Sequence, residues 1–143
     1  MLVSSKGRYA LRVMLDLAQH TDAALTPLKD VAARQEISLK YLESIASLLA
    51  RAGLIEGQHG KGGGYRLTRP LSEYTVLEIL DVTETCFSTV ECIQHCRKGC
   101  HRAADCPTLP LWLGLDRQIQ EYLRNTTLQD LLTGLGNEKN GNL

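Results

Sequence analysis

Residues 26–67 read TPLKDVAARQEISLKYLESIASLLARAGLIEGQHGKGGGYRL. Thr26-Pro27 offers an N-cap and a proline at the first helical position, and Leu28, Val31 and Ala32 form a short apolar stripe that stops near Gln35-Glu36. Ser38 caps a further helix, in which Leu42, Ile45, Ala46 and Leu49 repeat the stripe until Gly53 supplies a left-handed C-terminal position. Two short helices joined by a tight turn make a helix-turn-helix candidate. Directly after it, Leu54-Ile55-Glu56 and Tyr65-Arg66-Leu67 read as two strands, separated by Gln58-His59-Gly60-Lys61-Gly62-Gly63-Gly64. The glycines relax the backbone limits of a tight hairpin, so this segment reads as a wing beside the helices.

The chemistry of the stretch is anion binding. Residues 58–69 hold His59, Lys61, Arg66 and Arg69 and no carboxylate, as suits a loop lying along phosphates. A nucleotide-phosphate loop would need the strand-loop-helix order, whereas here Tyr65-Arg66-Leu67 continues as strand. On the helix from 38 to 51 the solvent face offers Ser38, Lys40, Tyr41, Glu43, Ser44, Ser47 and Arg51. Hydroxyls and lysine suit phosphates and base edges, and a groove-facing Glu43 can accept from the cytosine amino group or be one more solvated charge. Lys6, Arg8 and Lys29 are further candidate phosphate contacts, and Gly60 allows close approach of the wing backbone.

Working outward, Ala10, Val13, Met14 and Leu17 place a core-facing helix over 5–19, with Ser5 as its expected N-cap. Beyond Pro70, Thr75-Val76-Leu77-Glu78 spells a capping box for a helix whose Val76, Ile79 and Leu80 face inward. From Cys86 to Cys106 the helical period disappears. Leu109, Trp112, Ile119 and Leu123 then mark a helix of roughly 17 residues, widened by Leu111, Leu113 and Leu115, and a helix apolar on more than one side needs a partner. A second copy of the chain is the economical one. Thr127–Leu132 reads as a short capped helix and 134–143 as a flexible polar tail. The expected organisation is 1–70 DNA-binding unit, 71–107 connecting helix and cysteine loop, 108–133 dimerisation helix and terminal helix.

The whole chain of 143 residues has 16 basic and 16 acidic side chains. The balance hides an asymmetry, because residues 1–70 carry 10 Lys/Arg against 6 Asp/Glu and 71–143 the reverse, 6 against 10. A basic front end meets an anion. No apolar run approaches the ~18 residues that span a bilayer, and the opening residues lack a signal-peptide hydrophobic run, so a cytoplasmic location without membrane contact is expected. All five cysteines (Cys86, Cys92, Cys96, Cys100, Cys106) fall within 21 residues, and an odd count without an export signal favours a metal or redox site over a disulfide framework.

Taken together, Ser5-Lys6-Gly7-Arg8-Tyr9-Ala10, Ile37-Ser38-Leu39-Lys40-Tyr41-Leu42-Glu43, Gly60-Lys61-Gly62-Gly63-Gly64-Tyr65, Cys100, Cys106, Trp112 and Thr127-Leu128-Gln129-Asp130-Leu131 are colinear with one group of proteins. Over about 1–133 the chain resembles the winged-helix regulators typified by IscR, NsrR, RirA and CymR, the Rrf-two family, in its IscR-like branch. The resemblance implies a mainly α fold with a small β-hairpin wing, and a homodimer whose long helices pair and present two recognition helices to a two-fold-related duplex operator. It implies no small-molecule substrate.

In cluster-binding members three cysteines of this loop hold an iron-sulfur cluster, and Cys92, Cys100 and Cys106 match the spacing. The histidine ligand of IscR-like members would fall at Leu109 and the aspartate of NsrR-like members at Arg8, neither of which can ligate. Cys96, Cys86, His101 and His95 are therefore the local candidates for the fourth ligand, with a carboxylate or a residue of a second subunit also open, and a 2Fe-2S or a 4Fe-4S form is compatible with the same cysteines. The two histidines also read as ordinary surface residues. Zinc in a closed tetrahedron of these thiolates, or a metal-free thiol-disulfide switch, are the competing readings. At Glu43 the resemblance implies discrimination among operators, and His59 stands where IscR-like members commonly carry arginine. An enzyme built on Cys100 and His101 is disfavoured because adjacent loop residues rarely aim at one another. A metal-binding module that docks protein in place of DNA is the remaining alternative.

Overall fold

The structure is a computed structural model that describes residues 3–21, 24–85, 87–93 and 100–134, apart from the side chain of Cys92. The fold is mainly α with one small β-hairpin, as the sequence indicates. Helix α1 (Ser5–Gln19) is capped by Ser4 and not by Ser5: the Ser4 hydroxyl accepts the Gly7 amide at 3.1 Å, and Ser4 has the extended backbone a cap requires while Ser5 is already helical. Ala10, Val13, Met14 and Leu17 point into the core.

Helix α2 (Leu28–Gln35) begins after Pro27 with no side-chain cap. Thr26, its expected cap, is committed elsewhere. Its backbone pairs with Tyr65 through bonds of 2.9 and 2.8 Å, and its hydroxyl donates to the His20 carbonyl at 3.1 Å. The left-handed Glu36 (φ 55°) ends α2, and Ser38 then caps helix α3 (Leu39–Arg51) by accepting the Tyr41 amide. Leu42, Ile45, Ala46 and Leu49 are buried as the stripe predicts.

The α1–α2 angle is fixed by a buried carboxylate. Asp16, 1% exposed, receives two nitrogens of Arg34 and the Gln35 amide at 2.8 Å. Burial works against its ionised form, yet the bonds from Arg34 and Gln35 and the Arg34 charge outweigh it and hold the carboxyl below the usual range.

Strands β1 (Ile55–Gln58) and β2 (Gly64–Leu67) pair antiparallel with Glu56 opposite Arg66. Thr26 adds a single bridge on the far edge of β2, so close that a Cβ at Gly64 would collide with the Thr26 carbonyl. A 3-10 turn (Leu71–Glu73) and the fully buried Tyr74 then lead into helix α4 (Val76–Thr83). Its capping box is half made: Thr75 accepts the Glu78 amide at 3.2 Å, but the Glu78 carboxylate is taken by Arg69 at 2.9 Å.

Helix α5 (Leu109–Arg124) has no buried residue. Leu111, Leu113, Leu115 and Tyr122 are 61, 44, 44 and 61% exposed. Helix α6 (Leu128–Thr133) opens with the complete capping box Thr127/Asp130, and Leu128 is fully buried. The Leu128 amide donates to the Tyr74 carbonyl, which returns the chain to the base of the wing. Among the described residues no helix is long and apolar enough to cross a membrane. The predicted tail beyond Gly134 lies outside the described residues.

Candidate functional site

Helix α3 and the wing enclose a groove of about 500 Å³, lined by Glu43, Ser47 and Arg51 on one wall, Gln58, His59 and Gly60 on the other, and Pro27 and Tyr65 at its base. The sequence-predicted residues Glu43, Arg51, His59 and Gly60 are thus brought to one place. All four are exposed, because the opposite face of α3 carries the core stripe and the hairpin folds back beside the outward face. The N-terminal end of α3 forms a separate shallow depression lined by Ser38, Lys40, Tyr41 and Ser44.

Several of these groups are already engaged. Ser38 spends its hydroxyl oxygen on the helix cap, and Ser44 donates to the Tyr41 carbonyl at 2.7 Å. Tyr41 is half-buried, edge-on to Tyr9 at 5.9 Å between ring centres, so it is only partly a surface residue. Arg66 is not in the groove. It lies across the strand pair from Glu56, bonded to its carboxylate, and lines a different cleft with Ala24 and Leu25. The carboxylate that neutralises it sits just outside the 58–69 window, which is why the window looked purely basic. Lys61, at the turn, and Lys29, on α2, are exposed. Lys6 is half-buried and Arg8 exposed in the first turn of α1, with Arg8 donating to the Ser5 hydroxyl at 3.2 Å.

The structure places two further residues beside these that the sequence does not single out. Leu39, 42% exposed at the first position of α3, is apolar and lies off the core stripe, which was the available signal; apolar contact with a thymine methyl is one use for such a residue. Gln58 ends β1 facing the groove, and nothing in its local sequence marks it.

In the cysteine loop, Ser88 and Thr89 are buried, and the Thr89 amide donates to Asp116 Oδ1 of α5 at 2.8 Å. Cys100 and Cys106 are free, half-buried thiols on either side of the 3-10 turn Ala103–Asp105, and His101 is exposed. Cys106 Sγ lies 3.4 Å from the Thr108 hydroxyl, and this bond, with a backbone bond from Thr108 and the nearby Arg102 charge, holds the thiol below its ordinary value. Soft thiolate donors fit a thiophilic metal group, and the described chain supplies two of the three expected ones. Among the described residues no three potential donors converge. The Cys92 side chain and the fourth-ligand candidates Cys86, His95 and Cys96 lie outside them.

With this geometry in hand, comparison of the sequence with known families is decisive: residues 3–134 match the Rrf2 family, described as an iron-dependent transcriptional regulator. The chain belongs to the Rrf2 family. It is 39% identical over 132 residues to the HTH-type transcriptional regulator IscR of Vibrio atlanticus, covering 92% of this chain and 75% of that one. Among solved structures, CymR (YrzC), the global cysteine regulator of B. subtilis, superposes with a TM-score of 0.74 at 34% identity over 93% of this chain and 97% of that one. T. potens IscR gives a TM-score of 0.74 at 32% identity over 94 and 88%. These Rrf2 relatives are transcriptional regulators and not enzymes, and the hairpin beside α3 is the wing of a winged-helix DNA-binding regulator.

Proposed function

We propose that the protein is a homodimeric repressor or activator of transcription whose affinity for, or choice among, duplex operators is switched by an iron-sulfur cluster held by Cys92, Cys100 and Cys106. The observation that carries the cluster reading is the pair of free, half-buried thiols Cys100 and Cys106, which immediately precede the unburied helix α5. The IscR relatives support it. When bound, the cluster supplies an oxidant- and nitric-oxide-sensitive link among the thiolates. The chain's own residues do the rest: the loop is tied to α5 through Thr89 and Asp116, and α5 offers Leu111, Leu115 and Tyr122 to a second copy. A change of ~1.4 kcal/mol in the preferred spacing of two winged helices alters operator affinity tenfold.

In this reading residues 1–70 bind DNA, 71–107 connect and sense, and 108–133 dimerise. Ser38, Lys40, Tyr41, Glu43 and Arg51 address the major groove, His59, Gly60, Lys61 and Arg66 the adjoining backbone or minor groove, and Lys6, Arg8 and Lys29 the flanking phosphates.

The test is the visible spectrum of anaerobically purified protein with iron, acid-labile sulfide and zinc assayed on the same sample. Iron and sulfide in matching amounts, lost in Cys92→Ser, Cys100→Ser or Cys106→Ser, is the expected result. Colourless protein that takes up no iron on reconstitution would overturn it. The two free thiols Cys100 and Cys106 also suit a thiol-based switch, the second reading; stoichiometric zinc in the same assay would point instead to a zinc-structured loop.

A further inference from the structure

Helix α1 begins with an electrostatic deficit. Its first turn holds no acidic residue, and Lys6 and Arg8 place two cations where the helix dipole is already positive. The missing carboxylate comes from 80 residues away. Glu84 Oε1 accepts the Ser4 amide at 3.0 Å and the Ser4 hydroxyl at 2.7 Å, while that hydroxyl accepts the Gly7 amide at 3.1 Å. In an ordinary capping box the residue three positions into the helix turns back to the cap amide. Here that position is Gly7, which has no side chain, and Glu84 fills the role in trans.

The glycine is what admits it. A Cβ at Gly7 would stand 2.5 Å from Glu84 Oε1 and 3.0 Å from Leu80 Cδ2. Glu84 is the C-terminal cap of α4, held by its own amide to the Leu80 carbonyl at 2.8 Å, and it lies two residues before Cys86. One side chain thus joins the start of the cysteine loop to the turn carrying Lys6 and Arg8.

We infer that Glu84 is a positioning residue that couples the cysteine loop to the N-terminus of α1, closing that helix in trans through Ser4 and Gly7. The inference rests on reading 86–106 as the sensing segment. A loop rearrangement that pulls on the chain after Glu84 withdraws the carboxylate, and the first turn of α1 then frays with Lys6 and Arg8 on it. In the resting loop the turn stays closed.

The experiment is amide hydrogen exchange on the full-length protein, with and without alkylation of the loop thiols by iodoacetamide, using α3 amides as an internal reference. In the wild type, alkylation speeds exchange at Ser4, Gly7 and Arg8 by about five-fold, the equivalent of one net hydrogen bond. Glu84→Ala shows the faster exchange before alkylation and no further response to it. Glu84→Gln, which keeps an accepting oxygen, restores slow exchange and the response, which a merely structural side-chain loss would not do. Gly7→Ala favours helix intrinsically but displaces the carboxylate, so it behaves as Glu84→Ala does.

Should alkylation disturb α3, Cys106→Ser replaces it as the loop perturbation. Wild-type α1 amides that ignore both perturbations, or a Glu84→Ala protein that responds as the wild type does, overturn the inference. Iron content and operator affinity are read separately, so a protein that binds no cluster fails the earlier proposal while leaving this result standing.

Discussion

The hydroxyl of Tyr74 donates to the carbonyl oxygen of Leu54 at 2.8 Å across the base of the wing. The phenol oxygen of Tyr74 in turn accepts the amides of Thr68 and Arg69 at 2.8 and 2.9 Å, and the ring is fully buried. One phenol thereby satisfies the backbone where the chain enters and leaves the hairpin. Tyr74→Phe removes a hydrogen-bond partner from each of these backbone groups, and a loss of about 1–3 kcal/mol of unfolding free energy is expected in urea titrations with unchanged slope. A loss below about 0.5 kcal/mol would show that the hydroxyl is dispensable.

Asp16 makes the fold acid-sensitive. Burial raises its pKa, but the hydrogen bonds of Arg34 and Gln35 and the Arg34 charge dominate, so the folded value lies below the unfolded one, ordinarily near 3.8. The stabilisation is therefore complete above that pH and is lost as pH falls through the folded value. Asp130 is shifted the same way by bonds from the Thr127 amide and hydroxyl. Asp16→Asn is expected to cost about 2–3 kcal/mol at pH 7 and to flatten, without abolishing, the decline in stability below pH 4. A mutant whose acid limb overlays that of the wild type would refute this.

The reach of sequence reasoning here follows the range of the interactions involved. The Ser38 cap, the Leu42-Ile45-Ala46-Leu49 stripe and the Thr127/Asp130 box were legible because every partner lies within a few residues. Ser5, Thr26 and Glu78 were misassigned because Ser4 was recruited by Glu84, Thr26 by Tyr65, and Glu78 by Arg69, choices made by tertiary packing. Tyr74 gave no local sign of its three backbone bonds. At the groove, charge and exposure identified Glu43, Arg51 and His59, but the cancellation of Arg66 by Glu56 depends on strand register.

Glu43 stands in the groove facing the wing and is the one carboxylate among its lining residues. If Glu43 addresses the major groove as proposed, Glu43→Ala removes a repulsion from phosphates and an acceptor for the cytosine amino group together, so affinity for non-cognate duplexes is expected to rise and the cognate preference to shrink by about ten-fold. Binding across a panel of operator variants measures the ratio; identical relative affinities would exclude Glu43 as a discriminating residue.

The cations of the wing are not equivalent. Lys61 makes no ion pair among the described residues, whereas Arg66 is bound to Glu56 with both side chains more than half exposed. Lys61→Ala is expected to lower the salt slope of DNA binding by about one, Arg66→Ala by less, and Glu56→Gln to increase affinity. Equal slopes for Lys61→Ala and the wild type would remove Lys61 from the contacts.

Helix α5 exposes Leu111, Leu115 and Tyr122 at helical spacing. Leu115→Asp places a charge in the proposed interface and is expected to give a monomer by sedimentation equilibrium, with operator affinity reduced at least ten-fold. A dimer of wild-type stability in this variant would move the interface elsewhere.

The bridge that Thr26 adds on the far edge of β2 makes the wing a cantilever. Strand β2 is held on both edges, by β1 and by Thr26, up to Tyr65 beside the turn, and Gly64 leaves no room to slide. The free end of the wing carries Gly60 and Gly62 at φ 99° and 77°, with open space where side chains would stand. Bending is thereby confined to the few residues around Lys61. On the proposed mode of DNA binding, the tip can follow minor grooves of differing width while α3 stays in the neighbouring major groove, so tolerance of DNA shape and discrimination of base sequence fall to mechanically separate parts of one small unit.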